Sequence, residues 1–334
     1  MNGRWLARKI LRLLPPKQRG KAQEFPIKQI AYLLAGTYGD FMQSLPAINT
    51  LQEKHPNANI TLICPDFDPA HLLFLLPERV QFQQASWLFR QLFHPIDLIL
   101  TNPIGAFRVK FDYAARFCAK TAYGFCYTDE NGRSAYHFCY RLTNNIKSNM
   151  LLNMELISRT GKPITSSVGE FKNPENQYKA EPFRATHSQP DVLFHCGSTT
   201  LQTDFGTKRY QSIISEICKW VISINAPLEV IAGPTEASLL SKLNKKYPKL
   251  KTGTYSVEQL ASRLEQHSGP IICFDSFMAH FCAYYKKAAI VINRELVKPG
   301  YDNSTLQTHV VLSKKTNWKL DNLFKVISSF LVQA

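Results

Sequence analysis

The sequence predicts an α/β protein built from two doubly wound domains. Three observations carry that prediction. Short apolar runs alternate with helix-period segments along most of the chain. Several apolar runs end in glycine- or hydroxyl-bearing turns that open a helix, the ligand-binding corner of an open parallel sheet. The alternation stops once, over residues 161–190, and then restarts.

The elements follow in order. Ile27 to Leu34 is an apolar run suited to a buried parallel strand. The turn Gly36-Thr37-Tyr38-Gly39-Asp40 follows, then a helix with Phe41, Leu45, Ile48 and Leu51 on one side. Asn59 to Cys64, Val80 to Phe82 and Ile96 to Thr101 read as strands. Pro69 to Leu76, Ala85 to Phe93 and Phe107 to Lys120 read as helices between them. Ala122 to Phe125 is expected at the sheet edge. Ile146 to Thr160 is an amphipathic helix with Met150, Leu151, Met154 and Ile157 on its apolar side. Residues 161–190 are rich in Pro, Ser, Asn, Gln and Lys and read as a linker with some extended structure. Strands then recur at Val192 to His195, Leu228 to Ala232, Pro270 to Phe274 and Ala288 to Ile292. Helices recur at Tyr210 to Ile224, Thr235 to Tyr247, Val257 to His267 and Phe277 to Tyr285, with a last one at Trp318 to Val332. The expected division is a leader and tether over 1–26, domains over 27–160 and 191–317, and a closing helix over 318–334.

At 334 residues, with 45% hydrophobic and 19% charged side chains, the chain can bury a full core and is neither fibrous nor broadly disordered. A formal charge of +15 favours anionic partners: nucleic acid, acidic lipid, or phosphorylated glycans and nucleotides. None of the eight cysteines forms a C-x-x-C pair, so they read as buried thiols of a reducing compartment, not a disulfide frame or zinc site. No run approaches the roughly 20 apolar residues of a membrane span. Trp5, Leu6, Ile10, Leu11, Leu13 and Leu14 lie among Arg4, Arg8, Lys9 and Arg12. That segment is either a solvated leader helix or a helix lying on an anionic membrane surface.

The candidate chemistry sits on the strand-to-helix turns. Asp40, near a helix start, is either a helix cap or a base for a substrate hydroxyl. In the second half, His195 to Thr200 leads to Lys208-Arg209-Tyr210, Gly233-Pro234-Thr235-Glu236 follows another strand, and Asp275-Ser276-Phe277-Met278-Ala279-His280 a third. Each alone reads as a plain cap with charged neighbours. Together, at the carboxyl ends of parallel strands, they suit a phosphate-bearing ligand. Asp66-Phe67-Asp68 imitates a D-x-D metal motif but falls in the other domain, just before Pro69.

At these positions the chain resembles glycosyltransferase family 9, the family of the ADP-heptose:lipopolysaccharide heptosyltransferases. Gly39-Asp40 with Pro46-Ala47 resembles its G-D-x(5)-P-A signature. His195 to Ser198 with Lys208-Arg209-Tyr210 resembles the opening of its second domain. Gly233 to Glu236 resembles its G-P-x-E turn, and Asp275-Ser276 with His280 its D-[ST]-G-x-x-H segment. Pro299-Gly300-Tyr301 sits where members carry a G-P-Y-like stretch. Phe277 departs from the pattern, standing where members usually have glycine, and the segment from Ser198 to Lys208 is longer than usual.

The resemblance implies a GT-B fold, two Rossmann-like domains facing across a cleft, and inverting, metal-independent glycosyl transfer with no cofactor beyond the nucleotide-sugar donor. The donor would be ADP-heptose and the acceptor a lipid A–Kdo core glycan in lipopolysaccharide synthesis. The protein would then be cytoplasmic, peripheral on the inner face of the bacterial inner membrane. Asp40 would be the general base and Gly39 would face the acceptor. Lys208, with Ser198 and Thr199, would meet the donor phosphates. Ser276 and the backbone N–H groups that follow it, at Phe277 and Met278, would hold the pyrophosphate at their helix start, and Asp275 would also lie in the donor site. Glu236 and Tyr255 would lie near ribose and base, and His280 near phosphate or sugar. Three rivals stay open: a degenerate member kept as a binding or scaffold protein, which Phe277 favours; a sugar-nucleotide epimerase; and a basic nucleic-acid-binding protein. No nucleic-acid-binding motif is present to favour the last.

Overall fold

The computed structural model describes residues 9–11, 13–15, 26–92, 95–126, 134–142, 149–160, 168–169, 191–233, 236–294, 307–312 and 320–332. Most of the expected linker, the Pro299-Gly300-Tyr301 stretch and most of the leader lie outside them. The chain divides into two compact units, each built on its own sheet.

The first unit carries β1 (Gln29–Leu33), β2 (Asn59–Ile63), β3 (Val80–Gln83), β4 (Ile96–Thr101), β5 (Ala119–Cys126), β6 (Phe138–Arg141) and β7 (Val168–Gly169). They form one sheet in the order β3-β2-β1-β4-β5-β6-β7, and every pairing is parallel. All six residues of β4 are buried, as expected of a central parallel strand covered on both faces. Its helices are α1 (Tyr38–Lys54), α2 (Trp87–Arg90), α3 (Val109–Phe117) and α4 (Asn149–Arg159), with 3-10 turns at Ala70–Leu75 and Pro103–Phe107.

Two expectations change here. Ala122 to Phe125 is not an edge. It belongs to an eight-residue strand between β4 and β6, with Phe125 fully buried and its ring 5.9 Å from that of Tyr140. The short strands β6 and β7 beyond it take the edge. On α4, Leu152, Asn153, Leu156 and Ile157 are buried, whereas Met150 and Met154 are only half-buried. An asparagine displaces a methionine from the packed face because its amide finds polar partners there.

The second unit carries β8 (Val192–His195), β9 (Leu228–Ala232), β10 (Lys251–Thr254), β11 (Ile271–Phe274), β12 (Ala289–Arg294) and β13 (Gln307–Leu312). Their order is β10-β9-β8-β11-β12-β13, again all parallel. The helices are α5 (Thr199–Phe205), α6 (Thr207–Ser223), α7 (Ala237–Lys246), α8 (Val257–Gln266), α9 (Phe277–Tyr284) and α10 (Asp321–Val332). Helix α5 fills the long segment before Lys208. The core packs Phe194, Phe274, Ile213, Ile217 and Val230 between sheet and helices, and α10 adds Leu323 and Ile327 to it. Each such side chain contributes about 1.5–3 kcal/mol relative to exposure. All eight cysteines are buried free thiols.

Replacing Phe125 by Ala is expected to cost about 3–5 kcal/mol of unfolding free energy, the range for a deleted core aromatic. Urea unfolding measures it; a loss below about 1 kcal/mol would contradict the internal placement of β5.

Candidate functional site

In each sheet the strand order reverses once, between β1 and β4 in the first unit and between β8 and β11 in the second. In open parallel sheets, ligands bind outside the carboxyl ends of the strands at such a reversal. The candidate residues cluster at these two places.

In the first unit the turn after β1 is held one residue at a time. Asn102, buried after β4, accepts from Ala35 N at 3.0 Å and donates to Ala35 O at 2.8 Å. Asp66, beyond β2, accepts from Gly36 N at 3.0 Å and pairs with Arg108 at 2.8 Å. Asp40 Oδ2 accepts from Thr37 N at 2.8 Å and from the Thr37 hydroxyl at 3.1 Å. Gly36 is required for this geometry. Its φ is +119°, and a Cβ there would lie 2.2 Å from Asp40 Oδ2.

Asp40 is therefore the third residue of α1, closing a reciprocal box with the Thr37 cap. The capping reading holds, and it does not exhaust the carboxylate. The side chain is half-buried, and Oδ1 faces Asn149 Nδ2 at 3.4 Å. Burial raises the Asp40 pKa above the ordinary carboxylate value, while the bonds from Thr37 and Asn149 offset part of that rise. Gly39 is buried in the first helical turn, so it offers no side surface to an acceptor; Thr37 and Tyr38 are the exposed residues here. The D-x-D residues are structural. Asp66 braces the Gly36 turn, and Asp68 accepts from Ala70 N at 3.0 Å. Among the described residues, no group of three His, Cys, Asp or Glu side chains is arranged to hold a metal.

In the second unit the turns after β8, β9 and β11 converge. The Ser198 hydroxyl donates to Asp275 O at 3.2 Å and accepts from Leu201 N at 3.3 Å, joining two turns and capping α5. A Cβ on Gly197 would lie 3.5 Å from Glu236 Oε2 and 3.1 Å from His195 Cε1, so the turn after β9 packs directly against the turn after β8. Thr199 opens α5, and Pro234 and Thr235 lie outside the described residues.

Ser276 occupies the cap position of α9, yet its hydroxyl makes no capping bond. Its Oγ is buried without a hydrogen-bond partner among the described residues, as is His195 Nδ1. The plain-cap reading of Ser276 thus fails, and a buried hydroxyl stands free at a helix start. Unsatisfied buried polar atoms are costly, and each calls for a partner such as an ordered water or an ion. The Phe277 ring stacks on Phe281, with centroids 4.9 Å apart, which folds it along its own helix. Met278 is fully buried, so its side chain offers no surface to a ligand.

Three remaining residues fall out as follows. Lys208 is exposed in the first turn of α6, while its neighbour Arg209 pairs with Glu216 at 3.0 Å. His280, one turn into α9, is kept neutral because burial and nearby His309 lower its pKa to about 4. Tyr255, expected beside ribose and base, turns back along the edge strand. Its hydroxyl donates to Glu229 at 2.6 Å, near the amino end of β9, where Arg263 also pairs with Glu229. The carboxylate attracts both donors, and the tyrosine is drawn away from the carboxyl edge.

No protein-family model matches the chain, and no curated protein matches it by sequence. Solved structures do match. E. coli ADP-heptose LPS heptosyltransferase II aligns with 91% of this chain and 99% of its own, at 13% identity and a TM-score of 0.63. E. coli heptosyltransferase WaaC with ADP aligns with 92% of this chain and 100% of its own, at 12% identity and a TM-score of 0.64. A glycosyl transferase family 9 protein from Veillonella parvula aligns with 93% of this chain and 99% of its own, at 14% identity and a TM-score of 0.63. The fold is that of the heptosyltransferases. At such identity the fold is what is shared, and the two α/β units place this chain in the GT-B architecture. No described helix is long and apolar enough to cross a membrane.

The sequence did not single out Asn102, Asn149 or Asn153. For the last two, a pair of asparagines four apart among the apolar residues of an amphipathic helix was the available signal.

Gly36→Ala is expected to lower unfolding free energy by about 1–3 kcal/mol, the cost of a residue forced into a sparsely populated backbone region. Urea unfolding measures the change; an unaltered midpoint would contradict the packing of Asp40 against the turn.

Proposed function

We propose that this protein is an inverting glycosyltransferase that moves a sugar from a nucleotide-sugar donor to a glycolipid acceptor. ADP-heptose is the proposed donor and a lipid A–Kdo type inner-core glycan the proposed acceptor. The observation that carries the reading is Asp40. It is a half-buried carboxylate with a raised pKa at the strand-order reversal of one unit, in a fold shared with sugar-transferring proteins. The first unit binds the acceptor and supplies the base; the second binds the donor.

In the proposed step Asp40 takes the proton of an acceptor hydroxyl as that oxygen attacks the anomeric carbon. The bond from that carbon to the donor phosphate breaks, and the bonding pair leaves with the nucleoside diphosphate. Attack opposite the departing group inverts the centre. Charge developing on the diphosphate is met by the Ser276 hydroxyl, by the Phe277 N–H at the start of α9, and by Lys208. Ser198 supports this edge by tying its turn to Asp275. Phe277 leaves the backbone N–H in place because its ring lies along Phe281. Neutral His280 serves as a hydrogen-bonding partner and not as a cation. The net charge of +15 suits an acceptor carrying phosphates and carboxylates, and it supports peripheral association with an anionic membrane surface.

Acceptor-dependent transfer from a panel of nucleotide sugars tests the reading. Asp40 must be ionised to act, and its folded pKa is raised, so the rate should fall on acidification at a pH above the ordinary carboxylate value of about 4. Asp40→Asn should lower kcat by roughly 10²–10⁴-fold with donor affinity within about twofold. Transfer that survives Asp40→Asn with the acid limb intact would remove the base role.

A further inference from the structure

Helices α1 and α4 are joined by a polar seam with matched spacing. Asn149 and Asn153 stand four residues apart on α4, and Asp40 and Ser44 four apart on α1, so each pair occupies one helix face. Asn153 Nδ2 donates to the Ser44 hydroxyl at 3.2 Å, and Ser44 donates to Asp40 O at 2.8 Å. Asn153 Oδ1 accepts from the Tyr32 hydroxyl of β1 at 2.8 Å. Tyr32, Ser44 and Asn153 are each at most 1% exposed, so this rung has no water to replace its bonds. Further along, Lys54 donates to the carbonyls of Ile157 and Thr160. The two helices cannot slide without breaking buried hydrogen bonds. One turn above the Asn153 rung, the same registration brings the Asn149 amide to Asp40 Oδ1.

We propose that Asn149 is a positioning residue that fixes the free oxygen of Asp40, with the Tyr32–Asn153–Ser44 rung holding Asn149 in place. The proposal rests on Asp40 being the base. Oδ2 is already committed to Thr37, so Oδ1 is the oxygen open to an acceptor hydroxyl. A carboxylate oxygen accepts along two lone-pair directions. One bond from Asn149 sets its rotation and leaves the second direction for the substrate proton. The 3.4 Å separation is long for such a bond, and catalytic hydrogen bonds commonly tighten when substrate binds.

Among the described residues, the charged groups on the surrounding elements are engaged elsewhere or exposed. Asp66 pairs with Arg108, Asp68 caps Ala70, Glu155 pairs with Arg159, and Lys54 serves the α4 carbonyls, while Glu53 is exposed. Among the described residues, Asn149 is thus the group from α4 that meets this carboxylate.

The test uses the full chain carrying Asn149→Ala, the bulkier apolar Asn149→Leu, or Asn149→Gln, which keeps an amide. Carbon-13 NMR of the Asp40 carboxyl, assigned with Asp40→Asn, reads the contact without any need for turnover. Removing a donor from the charged form should move the Asp40 titration to higher pH in the Ala and Leu variants. Their kcat should fall about ten- to hundredfold, with acceptor KM within about twofold, and the acid limb of kcat should move with the titration. Gln should recover part of both effects. An unmoved Asp40 titration in folded Ala and Leu variants would overturn the proposal, as would a moved titration with unchanged kcat. Failure of the base assignment is separately visible, as transfer that survives Asp40→Asn.

Discussion

Parallel strand pairing is the constraint on which the rest of this structure depends. Because every strand in each sheet runs the same way, every strand-to-helix turn leaves by the same edge. Residues far apart in sequence are then forced together wherever the order reverses. Ala35 and Asn102 meet because β1 pairs with β4, and Ser198 and Asp275 meet because β8 pairs with β11. The candidate chemistry follows from strand order before any single side chain is considered.

What the two edges do with this placement differs. At the first, backbone groups of Ala35, Gly36 and Thr37 are each bound by a side chain from a different segment, namely Asn102, Asp66 and Asp40. The turn is over-determined, and a half-buried carboxylate is held at its end. At the second edge, the turns are tied to one another and a hydroxyl at the helix start has no partner among the described residues. The first arrangement suits a group that must hold one geometry while exchanging a proton. The second suits a site whose hydrogen bonds are completed by an anion.

Much of this was legible in the sequence where local pattern is decisive. Apolar runs such as Ile96 to Thr101 mark strands buried on both faces, and Gly36 marks a turn that only glycine permits. Most of the missed elements have a weak local signal, although β6, Phe-Cys-Tyr-Arg, was missed despite its apolar pattern. β10 is Lys-Thr-Gly-Thr at a sheet edge, β13 opens on Gln-Thr-His, and β7 has two residues. Beyond the four-residue spacing of Asn149 and Asn153, the buried amides were not legible, because an asparagine is placed in a core by partners distant in sequence: Tyr32 and Ser44 for Asn153, Ala35 for Asn102. Likewise Tyr255 follows a strand, as a ligand-facing residue would, and only the tertiary position of Glu229 and Arg263 turns it away.

The most direct measurement is a crystal structure of the full chain grown with ADP. Diphosphate oxygens are expected within hydrogen-bonding distance, about 3 Å, of the Ser276 hydroxyl and the Phe277 N–H. A diphosphate seated elsewhere, or one that leaves the Ser276 hydroxyl unpartnered, would contradict it.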